Sequence, residues 1–283
     1  MYYDVIIKNK HGSISAGSLS RVKLTSVVGV GLPQKTSTSV TFANSPGAFT
    51  TSVTDSYRTI TLAGDFYGDR NDVKGIYKIL YDECTLQFIN GTEHRQIKGR
   101  CLNPEDITKV GGGIWKFVFQ FRCDDPYFYD FHDNKIGVFK REDLWPNKDN
   151  LVSLPSIATK RTKEVDVINC GDLDVYPTII IENTGAVGNE NDRFTIKNIT
   201  TGTSVAITHQ IQNGETVTFN LADREIVSSV CGDITTAITN ETFLDRFVLG
   251  PGVNHISVKT DSESALMLTC YLVYRNKYLS AVI

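Results

Sequence analysis

No apolar run in this sequence approaches the roughly 20 residues that a membrane-spanning helix needs. The opening segment MYYDVIIKNK has neither the long apolar stretch nor the small-residue cleavage site of a signal peptide, and Val5–Ile7 is strand-sized, so synthesis and folding in a cytoplasm are expected. An excess of one charge is also missing. The 29 Lys and Arg residues face 32 Asp and Glu residues, with both signs interspersed and a net charge of −3. That balance argues against a nucleic acid read through a basic face and against a polybasic membrane surface. The six cysteines, at 84, 101, 123, 170, 231 and 270, contain no CxxC pair and match no zinc-ribbon or finger spacing, which makes reduced, buried thiols the expectation. Three Asn-x-Ser/Thr sequons, at Asn90, Asn198 and Asn240, are read as chance occurrences without a secretory signal.

The motifs of catalysis are equally sparse. Gly29-Val30-Gly31 precedes Lys35-Thr36, but a phosphate loop needs glycine directly before the lysine and position 34 is Gln, so a turn between strands is the better reading. There is no GxSxG elbow and no HExxH, and the five histidines (11, 94, 132, 209, 255) show no helical pairing. The acidic groups Asp65/Asp69/Asp72 and Glu190/Asp192 lack the alternation and closing Glu of an EF-hand and are read as a helix cap and loop decoration. Asp124-Asp125 are adjacent at a strand end, a poor arrangement for a pair of glycosidase carboxylates. The aromatic cluster Pro126-Tyr127-Phe128-Tyr129 with Phe131 is read as packing rather than a sugar platform. No catalytic residue, metal ligand or cofactor is assigned, and the chain is not read as an enzyme.

What the sequence does contain is strand rhythm. Residues 57–63 and 114–121 alternate, the latter placing Trp115, Phe117, Phe119 and Phe121 on one face. After Tyr176, alternating runs return about every ten residues. They fall at 178–181, 193–199, 204–211, 216–221, 224–230, 246–249, 255–259 and 265–274, with turns at Thr201-Gly202, Asn213-Gly214 and Gly250-Pro251-Gly252. Val73, Ile76, Tyr77 and Leu80 lie on one helical face, with Asp69, Asn71 and Asp72 available as N-caps. The charged stretch from about residue 131 to 164, with Pro146 and Pro155, reads as a connection anchored by Phe139, Leu144 and Trp145. The length makes two domains the default.

Two blocks stand out: NCGDLDVYPTIIIEN at 169–183 and FVLGPGVNHISV at 247–258. Each joins a turn to an apolar strand. Gly252 and Asn254 suit positive-φ turns, Asn169 and Asp172 suit local backbone bonding, and Pro177 suits the start of an outer strand. With Arg58–Gly64, Asn90-Gly91, residues 93–100, Phe117–Phe121, Asp125-Pro126-Tyr127-Phe128, Asn198, Gly202, Gly214, Asn220–Asp223 and Leu249–Asn254, they follow an order that resembles the distal tail protein (Dit) family of siphophages. The resemblance marks Gly64, Asp125, Pro126, Tyr127, Asn169, Gly171, Pro177, Gly252 and Asn254 as structural turn residues.

That resemblance implies a mainly β fold of two domains: a split-barrel-like ring-forming domain with one helix over 1–135, a linker or arm over 136–165, and a galectin-like β-sandwich over 166–283. It further implies a structural virion protein at the tail tip, made in a bacterial host's cytoplasm. Six copies would form a homohexameric ring joining the tail tube protein to hub, fibre and receptor-binding proteins, with DNA passing through and neither membrane nor sequence-specific nucleic-acid contact. The connecting segment is longer than the family pattern, implying an extra arm, while the central segment lacks room for a large carbohydrate-binding insertion. A receptor-directed carbohydrate-binding sandwich module stays open as the alternative, with a cell-wall hydrolase behind it.

Overall fold

The computed structural model describes residues 4–17, 20–42, 46–104, 107–143, 159–162, 164–183, 193–240, 242–260 and 268–281. The chain forms two compact units, Met1–Phe131 with Lys277–Ile283, and His132–Asn276.

The first unit contains β1 (Asp4–Asn9), β2 (Gly12–Ala16), β3 (Val22–Val28), β4 (Lys35–Thr41), β5 (Ala48–Asp55), β6 (Arg58–Tyr67), α1 (Arg70–Leu80), β7 (Cys84–Asn90), β8 (Glu93–Pro104), β9 (Thr108–Gly111), β10 (Ile114–Cys123) and β11 (Phe128–Asp130). Seven strands run in the order β8-β7-β1-β2-β3-β6-β10, and β10 returns to β8 and closes a barrel. Closure satisfies the ladder groups that an open edge would leave unpaired. The alternation of β6 and β10 turns Ile60, Leu62, Phe66, Phe117, Phe119 and Phe121 into one core, where they meet Val5, Leu86 and Phe88. Trp115, on the same face of β10, is only half-buried and donates from Nε1 to the Gly68 carbonyl at 3.0 Å. Val73, Ile76 and Leu80 of α1 join this core, and Tyr77 sits at its margin, 37% exposed. β4 and β5 pair with each other as a separate ribbon that exposes Val40, Phe49 and Val53.

The second unit contains β12 (Asn134–Asp143), β13 (Thr159–Thr162), β14 (Glu164–Asn169), β15 (Thr178–Asn183), β16 (Arg193–Asn198), β17 (Thr203–Thr208), β18 (Thr216–Asn220), β19 (Glu225–Ser228), β20 (Gly232–Asp233), β21 (Gly252–Thr260) and β22 (Leu268–Tyr274). One sheet has the order β13-β12-β22-β15-β18-β19-β20 and the other β14-β21-β16-β17. Ile179, Ile181, Phe219 and Leu272 from the first sheet share a core with Val167, Ile196, Val205 and Ile256 from the second. Each such side chain contributes roughly 1.5–3 kcal/mol by leaving water, so the sandwich is held by its own interior. The mainly β, two-domain expectation is met.

Several readings change. β12 begins at Asn134 and pairs with β22, and β14 begins at Glu164 and pairs with β21, so both ends of the expected 136–165 linker are sandwich strands. Their charged, weakly alternating sequence disguised strands whose partners β22 and β21 lie more than 80 residues away. The Phe139 side chain, Leu144, Trp145, Glu190 and Asp192 lie outside the described residues. Residues 246–249, read as a strand, make a turn and a single bridge from Leu249 to Val175. The boundary at 283 also moves. β23 (Lys277–Tyr278) pairs with β11 and belongs to the first unit. The sandwich is therefore inserted between β11 and β23.

Candidate functional site

The two sequence blocks are brought together. β14 lies beside β21 from Glu164↔Ser257 to Asn169↔Gly252, and Val175 and Leu249 exchange backbone hydrogen bonds at 3.1 and 2.9 Å. Three asparagines bury their amides around this junction, Asn169 (1% exposed), Asn198 (0%) and Asn254 (1%). Asn169 accepts from the Gly171 N–H at 2.8 Å and donates to the carbonyls of Leu173 and Leu249, both at 2.9 Å. Asn254 accepts from the Gly250 N–H at 3.0 Å and donates to the carbonyls of Gly250 and Gly252 at 2.7 and 3.2 Å. Asn198 donates to the Val248 carbonyl and to Asn254 Oδ1 at 2.9 and 3.1 Å. The Val248–Gly252 loop is thus fixed from three strands, and Gly252 supplies the φ of +91° that starts β21. The buried Asn198 is no glycan acceptor. Pro177 is buried one residue before β15, an inner strand between β22 and β18, rather than starting an outer one. It precedes the ladder, so its missing N–H still costs nothing.

In the first unit a buried arginine plays the equivalent part. Arg58, 2% exposed, donates from Nε to the Pro126 carbonyl at 2.6 Å, from Nη1 to the carbonyls of Gly29 and Gly31, and from Nη2 to that of Leu279 at 2.7 Å. Its guanidinium lies 4.7 Å from the Phe128 ring centroid. Burial works against its charge and lowers its pKa, while the nearby Cys123 and Asp55 act in the opposite sense. The Gly29–Gly31 turn aims carbonyl oxygens at this cation, the reverse of a phosphate cradle. Asp125 accepts from the Tyr127 N–H at 3.2 Å and from the Tyr129 hydroxyl at 2.7 Å, so this carboxylate organises its own turn. The Tyr127 hydroxyl donates to Asp55 at 2.6 Å, and burial followed by that bond pushes its pKa up to about 12. Phe128 is fully buried against Phe88, as the packing reading expects.

Gly64 is not a turn residue. It lies mid-strand in β6, where an added Cβ would come 2.1 Å from the Lys23 carbonyl oxygen, opposite the register shift between Leu24 and Ser26 of β3. Sequence reasoning missed Arg58 as a hub because a charged residue at the head of an alternating run reads as solvent-facing. Its one legible signal was the in-phase spacing Arg58-x-Ile60-x-Leu62, which places all three on the inner face.

The remaining candidates are structural or open. All six cysteines are free, but Cys170 and Cys231 are exposed rather than buried, because both lie in connections outside the strand faces that pack into the cores. Burial pushes the thiols of Cys84 and Cys101 to about 11 and that of Cys123 to about 12, leaving them protonated and unreactive. Asp69 and Asp72 form a capping box at α1. A depression of about 490 Å³ is lined by Gly68, Asp69, Arg70, Lys109, Gly113 and Trp115, but Asp69 already occupies the helix N–H groups there. Among the described residues, one group of three metal-ligating side chains converges, His209, Glu215 and Cys231. No helix of the described residues is long and apolar enough to cross a membrane.

A helix-bearing closed barrel with a β-sandwich inserted between two of its strands is a fold shared with chains of solved phage hub and baseplate structures. The solved structure of SPP1 Dit, titled a paradigm of hub adsorption apparatus in Gram-positive infecting phages, matches with a TM-score of 0.67 and 15% identity over 98% of this chain and 99% of that one. A chain of the phage P2 baseplate in its activated conformation with Ca matches with a TM-score of 0.50 and 9% identity, over 96% and 98% of the two chains. No protein-family model and no curated protein matches the sequence.

Proposed function

We propose that this chain is a structural component of a phage tail tip, a distal tail hub whose six copies close into a ring. In this reading the ring joins the tail tube to the receptor-binding apparatus and lets DNA pass through its lumen. The observation that carries it is the shared fold with SPP1 Dit over nearly the full length of both chains. The barrel and the inserted sandwich therefore occur together, in the same order, as in a protein described as a hub. Closed rings arise when two different patches of one subunit meet head to tail with a rotation that closes. The exposed apolar residues of the β4–β5 ribbon, among them Val40 (57% exposed), Phe49 (64%) and Val53 (56%), are surface that assembly can cover. The role is architectural: Asp125 and the Asn169, Asn198 and Asn254 amides are spent on holding loops.

Light scattering on the purified chain, with negative-stain images of the same sample, tests the reading. A six-fold mass and an open central hole are expected. A chain that stays monomeric both alone and with tail tubes, and whose segment 166–283 binds a glycan array, would instead support the carbohydrate-binding module.

A further inference from the structure

Three side chains that no sequence spacing connects meet at one end of the sandwich. His209 follows β17, Glu215 precedes β18, and Cys231 lies in the turn between β19 and β20. One ligand atom from each lies within 4.8 Å of the others. Glu215 is fully buried and the His209 side chain is 15% exposed, while Cys231 opens to solvent. The cluster is rigidly supported. Glu215 Oε1 accepts from His209 Nε2 at 2.8 Å and from the Ser228 hydroxyl at 2.5 Å, and Oε2 accepts from the Gln212 N–H at 2.6 Å. Ser228 in turn accepts the N–H groups of Val230 and Cys231 at 3.1 and 3.0 Å, which fixes the turn that carries the thiol. Burial disfavours the Glu215 carboxylate, yet the bonds from Ser228, Gln212 and His209 outweigh it and hold the group ionised.

We propose that His209, Glu215 and Cys231 bind a divalent metal ion of the zinc class, with water in the fourth position. An imidazole, a carboxylate and a thiolate form a mixed N, O, S donor set of the kind zinc accepts, whereas calcium and magnesium take oxygen ligands. Tetrahedral coordination separates ligand atoms by about 3.3–3.6 Å, so the three groups need only small rotations from their present positions. The bonds from Ser228 and Gln212 to Glu215 are outer partners that orient a ligand. Cys231 is the most exposed of the three, so it is the side from which an ion enters. Binding releases the thiol proton to solvent, leaves the His209 imidazole proton on Nδ1 instead of Nε2, and replaces the His209–Glu215 hydrogen bond with two metal bonds.

The test uses tag-free full-length protein, dialysed against chelator, kept reduced and titrated with Co²⁺ as a spectroscopic stand-in for zinc. One equivalent is expected to give a thiolate-to-cobalt charge-transfer band with tetrahedral d–d absorption, and Zn²⁺ is expected to bleach both. Cys231→Ser, an exposed substitution that leaves the core intact, removes the charge-transfer band and weakens binding at least about tenfold. His209→Gln weakens binding but keeps the band, and Cys170→Ser changes nothing. The proposal is overturned if no thiolate band forms, if the band survives Cys231→Ser, or if excess Ca²⁺ displaces the cobalt.

Discussion

Asn254 uses both ends of its amide. Its oxygen accepts from Gly250 and Asn198, and its nitrogen donates to the carbonyls of Gly250 and Gly252. An aspartate has the same shape but only accepts, so Asn254→Asp would aim a buried charge at two carbonyl oxygens. The expected loss is about 3–5 kcal/mol, the scale of an uncompensated buried charge, read as a lower urea midpoint with faster hydrogen exchange in β14 and β21. A loss under about 1 kcal/mol would mean that the loop does not depend on this amide. The backbone-bonding amide of Asn169 was legible in the sequence, whereas Asn254, expected to hold a positive-φ turn, lies in extended β21, where Gly252 alone supplies the left-handed conformation and the Asn254 amide does the bonding. Their convergence on one loop was not legible, because it depends on the pairing of β14 with β21, whose residues are 80 or more apart. The same holds for His209, Glu215 and Cys231, which are joined by three loops and by no motif.

At the scale of elements, α1 is the clearest local signal and the easiest to test. Asp69 accepts from the N–H groups of Asn71 and Asp72, and Asp72 returns a bond to the Asp69 N–H. Those bonds, first the one from Asp72 and then the one from Asn71, hold the Asp69 carboxyl below its ordinary range. A depressed carboxyl stabilises the fold fully above its unfolded value and loses that effect as pH falls through its folded value. Asp69→Ala should therefore reduce amide protection at the start of α1 at neutral pH, and parent and variant should converge in acid. Equal protection at neutral pH would show that packing of Val73, Ile76 and Leu80 holds the helix without its cap. The strands divide by the same physics. β6, β10, β15, β18, β21 and β22 announced themselves because one face is buried and period two follows. β4 and β5 are rich in Ser and Thr with both faces exposed, so no alternation marked them. Residues 246–249 alternate in sequence but make only one bridge, because alternation records which side is buried and not whether a ladder forms.

At the scale of the molecule, the last residues of the described chain complete a domain begun by the first. Tyr278 is opposite Phe128, its hydroxyl reaches Asp130 at 2.9 Å, and the Arg95 guanidinium lies 4.0 Å from its ring centroid. The carbonyls of Leu279 and Ser280 accept from Arg58 and Arg95, and the Ala281 N–H donates to Val30 at 2.9 Å. A chain ending at Phe131 would leave two buried guanidinium groups short of an acceptor each, at about 1.5–3 kcal/mol per charged hydrogen bond. The inserted unit has adjacent ends of its own, with Asn134 opposite Tyr274, and the first unit has Tyr129 opposite Lys277. Domains with neighbouring termini tolerate excision and insertion. Replacing residues 132–276 with a short Gly/Ser linker should therefore give a folded barrel, with a thermal midpoint well above that of residues 1–131 alone. The gain should shrink but persist when Arg58→Leu and Arg95→Leu are introduced together, because the tail then loses its two cations but keeps its pairing with β11 and the Ala281–Val30 bond. If the linked and truncated barrels melted together, the tail would be a passive strand. If only the linked form folded, the first domain could not finish folding during synthesis until the whole sandwich had emerged, and its core would depend on residues 277–281.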